Sequence, residues 1–264
     1  MQRVLVYGHT GVVGAQLFRW LAEHDTPMLG GISLDRENGY LGQPPEWVFV
    51  CVPTPTTDAG QDLAAVESVL ARHAGHECNV VIRSTVLPGT CDRIQAEHPE
   101  WAVYHWPEFL NARSAWEDFC NPRVQVIGNG IHSSAWDSRW ESVLPRPTAS
   151  GQWVSVSLAS AEGIKYGHNV HGAMQVIFAN LMHDVCRRAG GGNWAAIAWG
   201  MTQIGYVTPQ LHDAYWDVWR DGKRGYAGAC FPKDVRALLA FMGDEGELLD
   251  GMERANARLL AVKR

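Results

Sequence analysis

Residues Arg3-Val4-Leu5-Val6-Tyr7-Gly8-His9-Thr10-Gly11-Val12-Val13-Gly14 decide the fold. An apolar, β-branched run ends in a glycine-rich turn, and an amphipathic pattern follows over 11–24. That order predicts strand, turn and helix N-terminus. Glycines at such a turn let the backbone approach a pyrophosphate, and the first helical amides point at it. The spacing Gly-x-x-Gly-x-x-Gly is one residue longer than the common dinucleotide fingerprint. Gly8, Thr10, Gly11, Val12, Val13 and Gly14 are therefore expected to hold a dinucleotide. The acidic residue for its ribose hydroxyls falls on Asp35, with Glu37 as the fallback. Arg36 keeps NADP open beside NAD, which Asp35 favours.

Apolar runs continue at 27–34, 47–52, 79–83, 102–106 and 123–127, with helical periods at 62–74, 89–97 and 132–143. Apolar strands separated by helices make a mostly parallel sheet covered on both faces. Near residue 150 the pattern changes. Pro145, Pro147 and Gly151 form a connector, and 153–157 is a last strand. From 160 to 188 Ile164, Val170, Met174, Ile177, Leu181 and Val185 recur at helical spacing, and Gly190-Gly191-Gly192 ends the run. Shorter helices are expected at 193–203, 208–219, 233–242 and 246–260. The expected class is α/β: an abbreviated Rossmann-type doubly wound parallel sheet, then an all-helical domain with a long central helix. The division falls at 1–157, a dinucleotide-binding domain, and 158–264, a helical central and dimerisation domain.

Of the 264 residues 46% are hydrophobic, enough to bury a core and to exclude a disordered chain. A net charge of −6 argues against nucleic acid as a partner. No run reaches the roughly 18 apolar residues of a membrane helix. The opening strand lacks the order of a secretion signal, so a cytoplasmic protein is expected. Six cysteines without Cys-x-x-Cys spacing read as reduced thiols. His168, His171 and His183 share a helix without a matching carboxylate, so no metal is expected. Trp20, Trp47, Trp194 and Trp199 sit at core-like spacing. Lysine is scarce, at positions 165, 223, 233 and 263 alone, which singles out the place of each.

Four further segments carry chemistry. They are Val52-Pro53-Thr54-Pro55-Thr56 with Asp62-Leu63, Ser84-Thr85-Val86-Leu87-Pro88-Gly89-Thr90, Pro107-Glu108-Phe109-Leu110, and Gly225-Tyr226-Ala227-Gly228-Ala229-Cys230-Phe231-Pro232-Lys233-Asp234. Lys165 and Asn169 are four apart, so they share a helix face, read here as the Ile164/Met174/Ile177 side. A desolvated ammonium and an amide N–H there can stabilise a developing alkoxide; the plain alternative is a snorkelling lysine. Cys230 precedes a helix opening near Pro232. Helix-terminal amides and Lys233 would lower its pKa and make it a nucleophile; the alternative is a buried structural cysteine. Asp234 would reach the same pocket, while Glu108 is placed to activate water and Thr85 to orient it.

With Ala161-Glu162 and Lys165-x-x-x-Asn169, these collinear segments resemble the UDP-glucose/GDP-mannose dehydrogenase family. The resemblance implies a twofold oxidation of a sugar C6 alcohol to the carboxylate, with two NAD and a Cys230 thiohemiacetal and thioester. It implies cofactor contacts from Val52, Pro53, Thr54, Pro55, Ser84, Thr85 and Lys233. Substrate contacts would come from Glu108, Phe109, Leu110, Lys165, Asn169, Tyr226, Gly228 and Cys230. The substrate would be a small-molecule sugar or nucleotide sugar, and the assembly a homodimer through 160–188. Arg220 or Arg224 would reach a neighbouring subunit's substrate. The sequence departs from the family pattern in its longer glycine loop, in the short stretch 35–46, and in Ala227, which replaces a glycine. It is expected to be a shortened member lacking the C-terminal nucleotide-sugar domain, which a separate polypeptide would then supply. Two rivals stand beside this reading: a single-step hydroxyacid-type dehydrogenase using Lys165 and Asn169, and a catalytically silent dimeric scaffold.

Overall fold

A computed structural model describes residues 3–24, 28–33, 37–38, 43–130, 143–148, 151–190, 192–204 and 215–263. Two compact units divide the chain. The first holds residues 1–55 and 61–165, the second 56–60 and 166–264.

The apolar runs of the first unit become one eight-stranded sheet. Its strands are β1 (Arg3–Tyr7), β2 (Met28–Ile32), β3 (Glu37–Asn38), β4 (Trp47–Val50), β7 (Asn79–Ile82), β8 (Ala102–His105), β9 (Val124–Asn129) and β10 (Gln152–Ser157). Short strands β5 (Thr56–Thr57) and β6 (Gly60–Gln61) pair separately. Across the large sheet the order is β10-β9-β8-β7-β4-β1-β2-β3. Parallel pairing runs from β2 through β1, β4 and β7 to β8. Two junctions are antiparallel, β8 with β9 and β2 with β3, so the sheet is mostly parallel, as the sequence suggested. Beyond the first of them β10 lies parallel to β9.

Alternation along the strands sends side chains to two cores. Leu5, Tyr7, Val48, Val50, Val80 and Ile82 pack with α2 (Ala64–Ala71) and α3 (Thr90–Glu97). Val4, Val6, Trp47, Phe49, Val81 and Tyr104 pack with α1 (Val12–Glu23) and α4 (Ala115–Cys120). Strands buried on both faces read as continuous apolar runs, which is why they were legible. The glycine loop leaves β1 where Gly8 takes φ +79°, and a Cβ there would lie 2.3 Å from the Cys51 carbonyl oxygen. A Cβ on Gly14 would come within 2.2 Å of the Gly8 carbonyl oxygen. The extra loop residue is absorbed by folding His9 inward. Its ring packs on Phe18 with centroids 5.0 Å apart, and its Nδ1 lies 3.0 Å from Ser33 Oγ. Thr10 is left exposed at the tip.

Helix α5 (Leu158–Arg188) is 31 residues long. Its later turns join α6 (Trp194–Gln203), α7 (Phe231–Met242) and α8 (Glu247–Leu260) in the second unit. Val170, Ala173, Val176, Tyr226, Val235, Leu249 and Met252 form one core there, and Ala179, Ala198, Trp216 and Val218 another. The apolar residues read along 160–188 divide between two faces: Val170 is buried and Ile177 packs against the core. Ile164, Met174, Leu181 and Val185 are exposed, whereas Ala161, Tyr166, Ala173, Val176 and Ala179 are buried. Alanines on the buried face let elements approach closely, so counting large apolar side chains alone did not locate that face. Lys165 and Asn169 accordingly lie on the buried face and not on the Ile164/Met174 side. Trp199, expected in the core, is 65% exposed. Asp35, Arg36, the Glu37 side chain, Gly191 and most of the helices expected at 132–143 and 208–219 lie outside the described residues.

Gly8 and Gly11 give contrasting expectations. A Cβ on Gly11 meets nothing closer than 3.3 Å, and its φ is −78°. Gly8→Ala should destabilise by about 3 kcal/mol through positive-φ strain and overlap, and Gly11→Ala by less than about 1 kcal/mol. Urea unfolding midpoints of the two variants, at unchanged slope, check this difference.

Candidate active site

The loops at the carboxyl ends of β4, β7 and β8 hold most of the residues assigned in the first unit, as expected for an open α/β sheet. Pro53 and Pro55 remove two backbone donors, and side chains tie the loops instead. Thr54 Oγ1 donates to the Thr85 carbonyl at 2.7 Å, and Gln61 Nε2 donates to the same oxygen at 3.0 Å. Ser84 Oγ donates to the Val52 carbonyl at 2.7 Å. The Thr54 and Ser84 hydroxyls thus brace these two loops against each other. Further along, Glu162 on α5 accepts from the amides of Gly89 and Cys91 at 2.6 and 2.8 Å. Its carboxylate meets the opening of α3, where helix-end amides favour negative charge. Burial pushes that carboxyl up, and the Cys91 and Gly89 hydrogen bonds oppose the shift.

Lys165 and Glu108 meet. Lys165 Nζ donates to Glu108 Oε1 at 2.9 Å and to the Glu108 carbonyl at 2.5 Å, and it lies 5.4 Å from the centre of the Phe109 ring. The Lys165 side chain is buried and that of Glu108 nearly so, 4% and 11% exposed. Burial alone would raise the Glu108 carboxyl. The Lys165 charge and hydrogen bond, the Leu110 amide and the Arg83 charge outweigh it and hold the carboxyl below its ordinary value. The pair is therefore a carboxylate and a cation that neutralise one another away from water. His105, fully buried at the end of β8, is kept neutral, since burial pushes its ring down to about 3.

Sequence reasoning missed Arg83, which ends the apolar run of β7. It is buried, with its guanidinium carbon 3.3 Å from the centre of the Trp106 ring. Burial pushes its pKa down to about 10. A charged residue closing a run of buried β-branched residues was the available signal. Arg83, Trp106, Glu108, Phe109, Phe119 and Arg123 line part of a cavity of about 270 Å³ within this unit.

The second unit assembles its own polar cluster. Asn169 Nδ2 donates to Asp234 Oδ2 at 2.6 Å, and Lys233 Nζ donates to Asp234 Oδ1 at 2.5 Å. Asp234 is buried, so each of its oxygens is matched by a donor. The Lys233 carbonyl accepts from Thr56 Oγ1 at 2.8 Å. Cys230 is exposed at the N-cap of α7, with Pro232 in the first turn, so the expectation of a buried structural thiol does not describe it. The loop before Cys230 is clamped by Asn256, whose amide accepts from Tyr226 N at 2.7 Å and donates to Tyr226 O at 3.0 Å. Tyr226 is buried, and its hydroxyl donates to Glu253 at 2.5 Å. Gly228 takes φ +88° with open space around it. Arg224, one of two arginines expected to reach a neighbouring subunit, is instead buried on Asn180 and Asp184 at 2.9 Å each. Asn256 and Asn180 were also missed, because single asparagines on helices carry no spacing signal.

Comparison with known proteins places these geometries in a family. Residues 43–143 match the NAD binding domain of the UDP-glucose/GDP-mannose dehydrogenase family, and residues 159–258 match its central domain. UDP-glucose 6-dehydrogenase of Rickettsia conorii is 32% identical over 202 residues, 72% of this chain and 43% of that protein. The enzyme of the same name from Rickettsia bellii is 31% identical over 222 residues, 80% of this chain and 49% of that protein. A UDP-glucose dehydrogenase structure from Pyrobaculum islandicum superposes with a TM-score of 0.71 at 25% identity, covering 98% of this chain and 68% of that one. The chain spans about half the length of the Rickettsia relatives. No helix among the described residues is long and apolar enough to cross a membrane.

The ion pair yields a stability test. Glu108→Gln leaves the Lys165 ammonium buried without its counter-charge and should cost about 3 kcal/mol, read from urea unfolding. The folded Glu108 carboxyl lies below its ordinary value of 4.5, so its contribution is complete above that pH. It is lost as pH falls through the folded value, and the variant should lack that part of the acid limb.

Proposed function

The chain belongs to the UDP-glucose/GDP-mannose dehydrogenase family, and on that footing we propose that it oxidises the C6 alcohol of a nucleotide sugar to the carboxylate with two NAD. The observation that carries this reading is the buried Lys165–Glu108 pair at the carboxyl edge of the sheet. A cation held out of water is suited to stabilising charge that develops on a substrate oxygen.

The glycine loop fits the cofactor. Gly8 and Gly14 have no room for a Cβ, and no side chain caps the first turn of α1, which leaves its amides for a phosphate. Gly11, Val12 and Val13 would supply those amides, and Thr10 at the tip would close over them. When bound, NAD supplies the hydride acceptor for each step. In the first, the alcohol would lose a hydride from C6 to the cofactor and a proton from its oxygen to the water held by Asp234. Lys165 and the Asn169 amide stabilise the oxygen, with Asp234 orienting Asn169 and holding a water beside it. Cys230 then adds to the aldehyde carbon, and its proton passes to the aldehyde oxygen, giving a thiohemiacetal. Loss of a second hydride to the cofactor and of the hydroxyl proton to the same water would leave a thioester. Water, oriented by Thr85 and deprotonated by Glu108, cleaves the thioester to the acid and restores the thiol. A covalent stage keeps the aldehyde from leaving between the two oxidations.

The same reading includes a homodimer formed through α5. Its exposed Ile164, Met174, Leu181 and Val185 support this, because an apolar stripe on a long helix favours a partner over water. It also includes a cytoplasmic location.

Purified protein with NAD and UDP-glucose should yield two NADH per acid formed. Cys230→Ala should lower acid formation by at least about 10³-fold while the protein stays folded, as loss of a covalent nucleophile does. Unchanged acid formation in that variant would remove the thioester route, and no NADH with any nucleotide sugar would remove the proposed activity.

A further inference from the structure

Cys230 closes a short arch, 227–230, in which every residue is exposed. The arch is anchored at both ends within the second unit. At its start the backbone runs against Asn256. Gly225 takes φ +78°, and a Cβ there would lie 2.4 Å from Asn256 Oδ1. The same side chain holds the next residue, accepting from Tyr226 N and donating to Tyr226 O. Glu253, one turn earlier on α8, accepts from the Tyr226 hydroxyl, and its other oxygen pairs with Arg236 Nε of α7 at 3.2 Å. Helix α8 therefore holds both the backbone entering the arch and the helix leaving it. At the far end Phe231 follows Cys230 directly, and its ring rests on Gly172 of α5, where a Cβ would come within 2.6 Å of Phe231 Cζ. Tyr215 and Tyr226 flank that ring with centroids 5.5 and 6.5 Å away. Glycine is disfavoured inside a helix, so the seat at Gly172 exists against the preference of α5 itself.

We propose that Asn256 and Gly172 are positioning residues for the second oxidation, a two-ended clamp that holds the Cys230 thiol where it captures the aldehyde before the aldehyde leaves. The inference rests on the twofold oxidation proposed above and assigns the side chains that make its two steps continuous. An exposed thiol is not fixed by packing, so its place comes from the backbone on either side. Asn256 fixes that backbone through the Tyr226 peptide groups, and Gly172 fixes it by admitting the ring next to the thiol. A displacement of about 1 Å at a reacting atom lowers a rate by up to about 10²-fold. The first oxidation does not use Cys230, so a loosened clamp slows the second step alone and releases the aldehyde. Gly251 of α8 provides the contrast, since a Cβ there meets open space.

Two measurements on the full chain test the clamp. The first supplies UDP-glucose, NAD and semicarbazide, which traps free aldehyde as the semicarbazone. The unaltered protein should give acid with little semicarbazone. Asn256→Ala and Gly172→Ala should lower acid formation about 10²-fold, change the rate of the first hydride transfer less than about threefold, and turn the missing acid into semicarbazone. Loss of structure alone would lower both oxidations together. Gly251→Ala, on the same helix as Asn256, should keep the proportions of the unaltered protein. The second measurement needs no turnover: a nitroxide is attached to Cys230, the exposed cysteine of the six. Its spectrum should narrow, reporting a more mobile backbone, in Asn256→Ala and Gly172→Ala and stay unchanged in Gly251→Ala. The two variants loosen opposite ends of the arch, so each tests the clamp if the other fails to fold. An unchanged ratio of semicarbazone to acid, or unchanged nitroxide mobility, in a folded variant overturns the proposal. Acid formation by the unaltered protein with unchanged ratios in the variants removes the clamp alone. Absence of NADH from the unaltered protein removes the dehydrogenase reading, and the nitroxide spectra then still decide whether Asn256 and Gly172 fix Cys230.

Discussion

Burial of the sheet on both faces is the constraint from which the rest follows. Strands that meet no water on either side cannot end in buried polar loops, so their connections gather at the strand ends, and helices must cover both surfaces. Gly8 and Gly14 are the local form of the same demand. The turn from β1 into α1 passes so close to Cys51 O and to its own carbonyl that only glycine fits. A residue added to that turn has to go somewhere, and His9 goes under β2 against Phe18, leaving the amides of α1 facing outward.

Polar chemistry at the edge of such a core is governed by pairing. Lys165 is tolerated because Glu108 offers both a carboxylate and a backbone carbonyl, and Glu162 because two amides of α3 meet it. The second unit uses the same device, with Asp234 bracketed by Asn169 and Lys233. Arg83, also buried, stacks on the Trp106 ring, and its Nε and Nη1 meet no hydrogen-bond partner among the described residues.

Clamps around the reactive segments come from neighbouring elements. Asn256 mimics a peptide group against Tyr226, and Arg224 ties the start of the same loop to α5 through Asn180 and Asp184. These contacts fix the backbone leading to Cys230 while leaving its thiol exposed at the start of α7. An accessible thiol on a fixed backbone is what the proposed covalent step requires.

Periodicity, glycine placement and the motif residues were legible in the sequence, because each depends on local geometry: alternation for strands, 3.6-residue spacing for α5, and turn chemistry for the loop after β1. The sequence by itself therefore determined the α/β class, the succession of elements and the segments that carry Glu108, Lys165, Asn169, Cys230 and Asp234. Tertiary structure alone decided the antiparallel turn of the sheet at β9, the inward course of His9, and which face of α5 is buried. It also decided that Arg224 belongs to its own unit, that Asn256 holds the Tyr226 loop, and that Arg83 stacks on Trp106. Those outcomes depend on close approach between residues far apart in the chain. Small side chains permit that approach, and buried charges are judged by it, so neither composition nor spacing records the result.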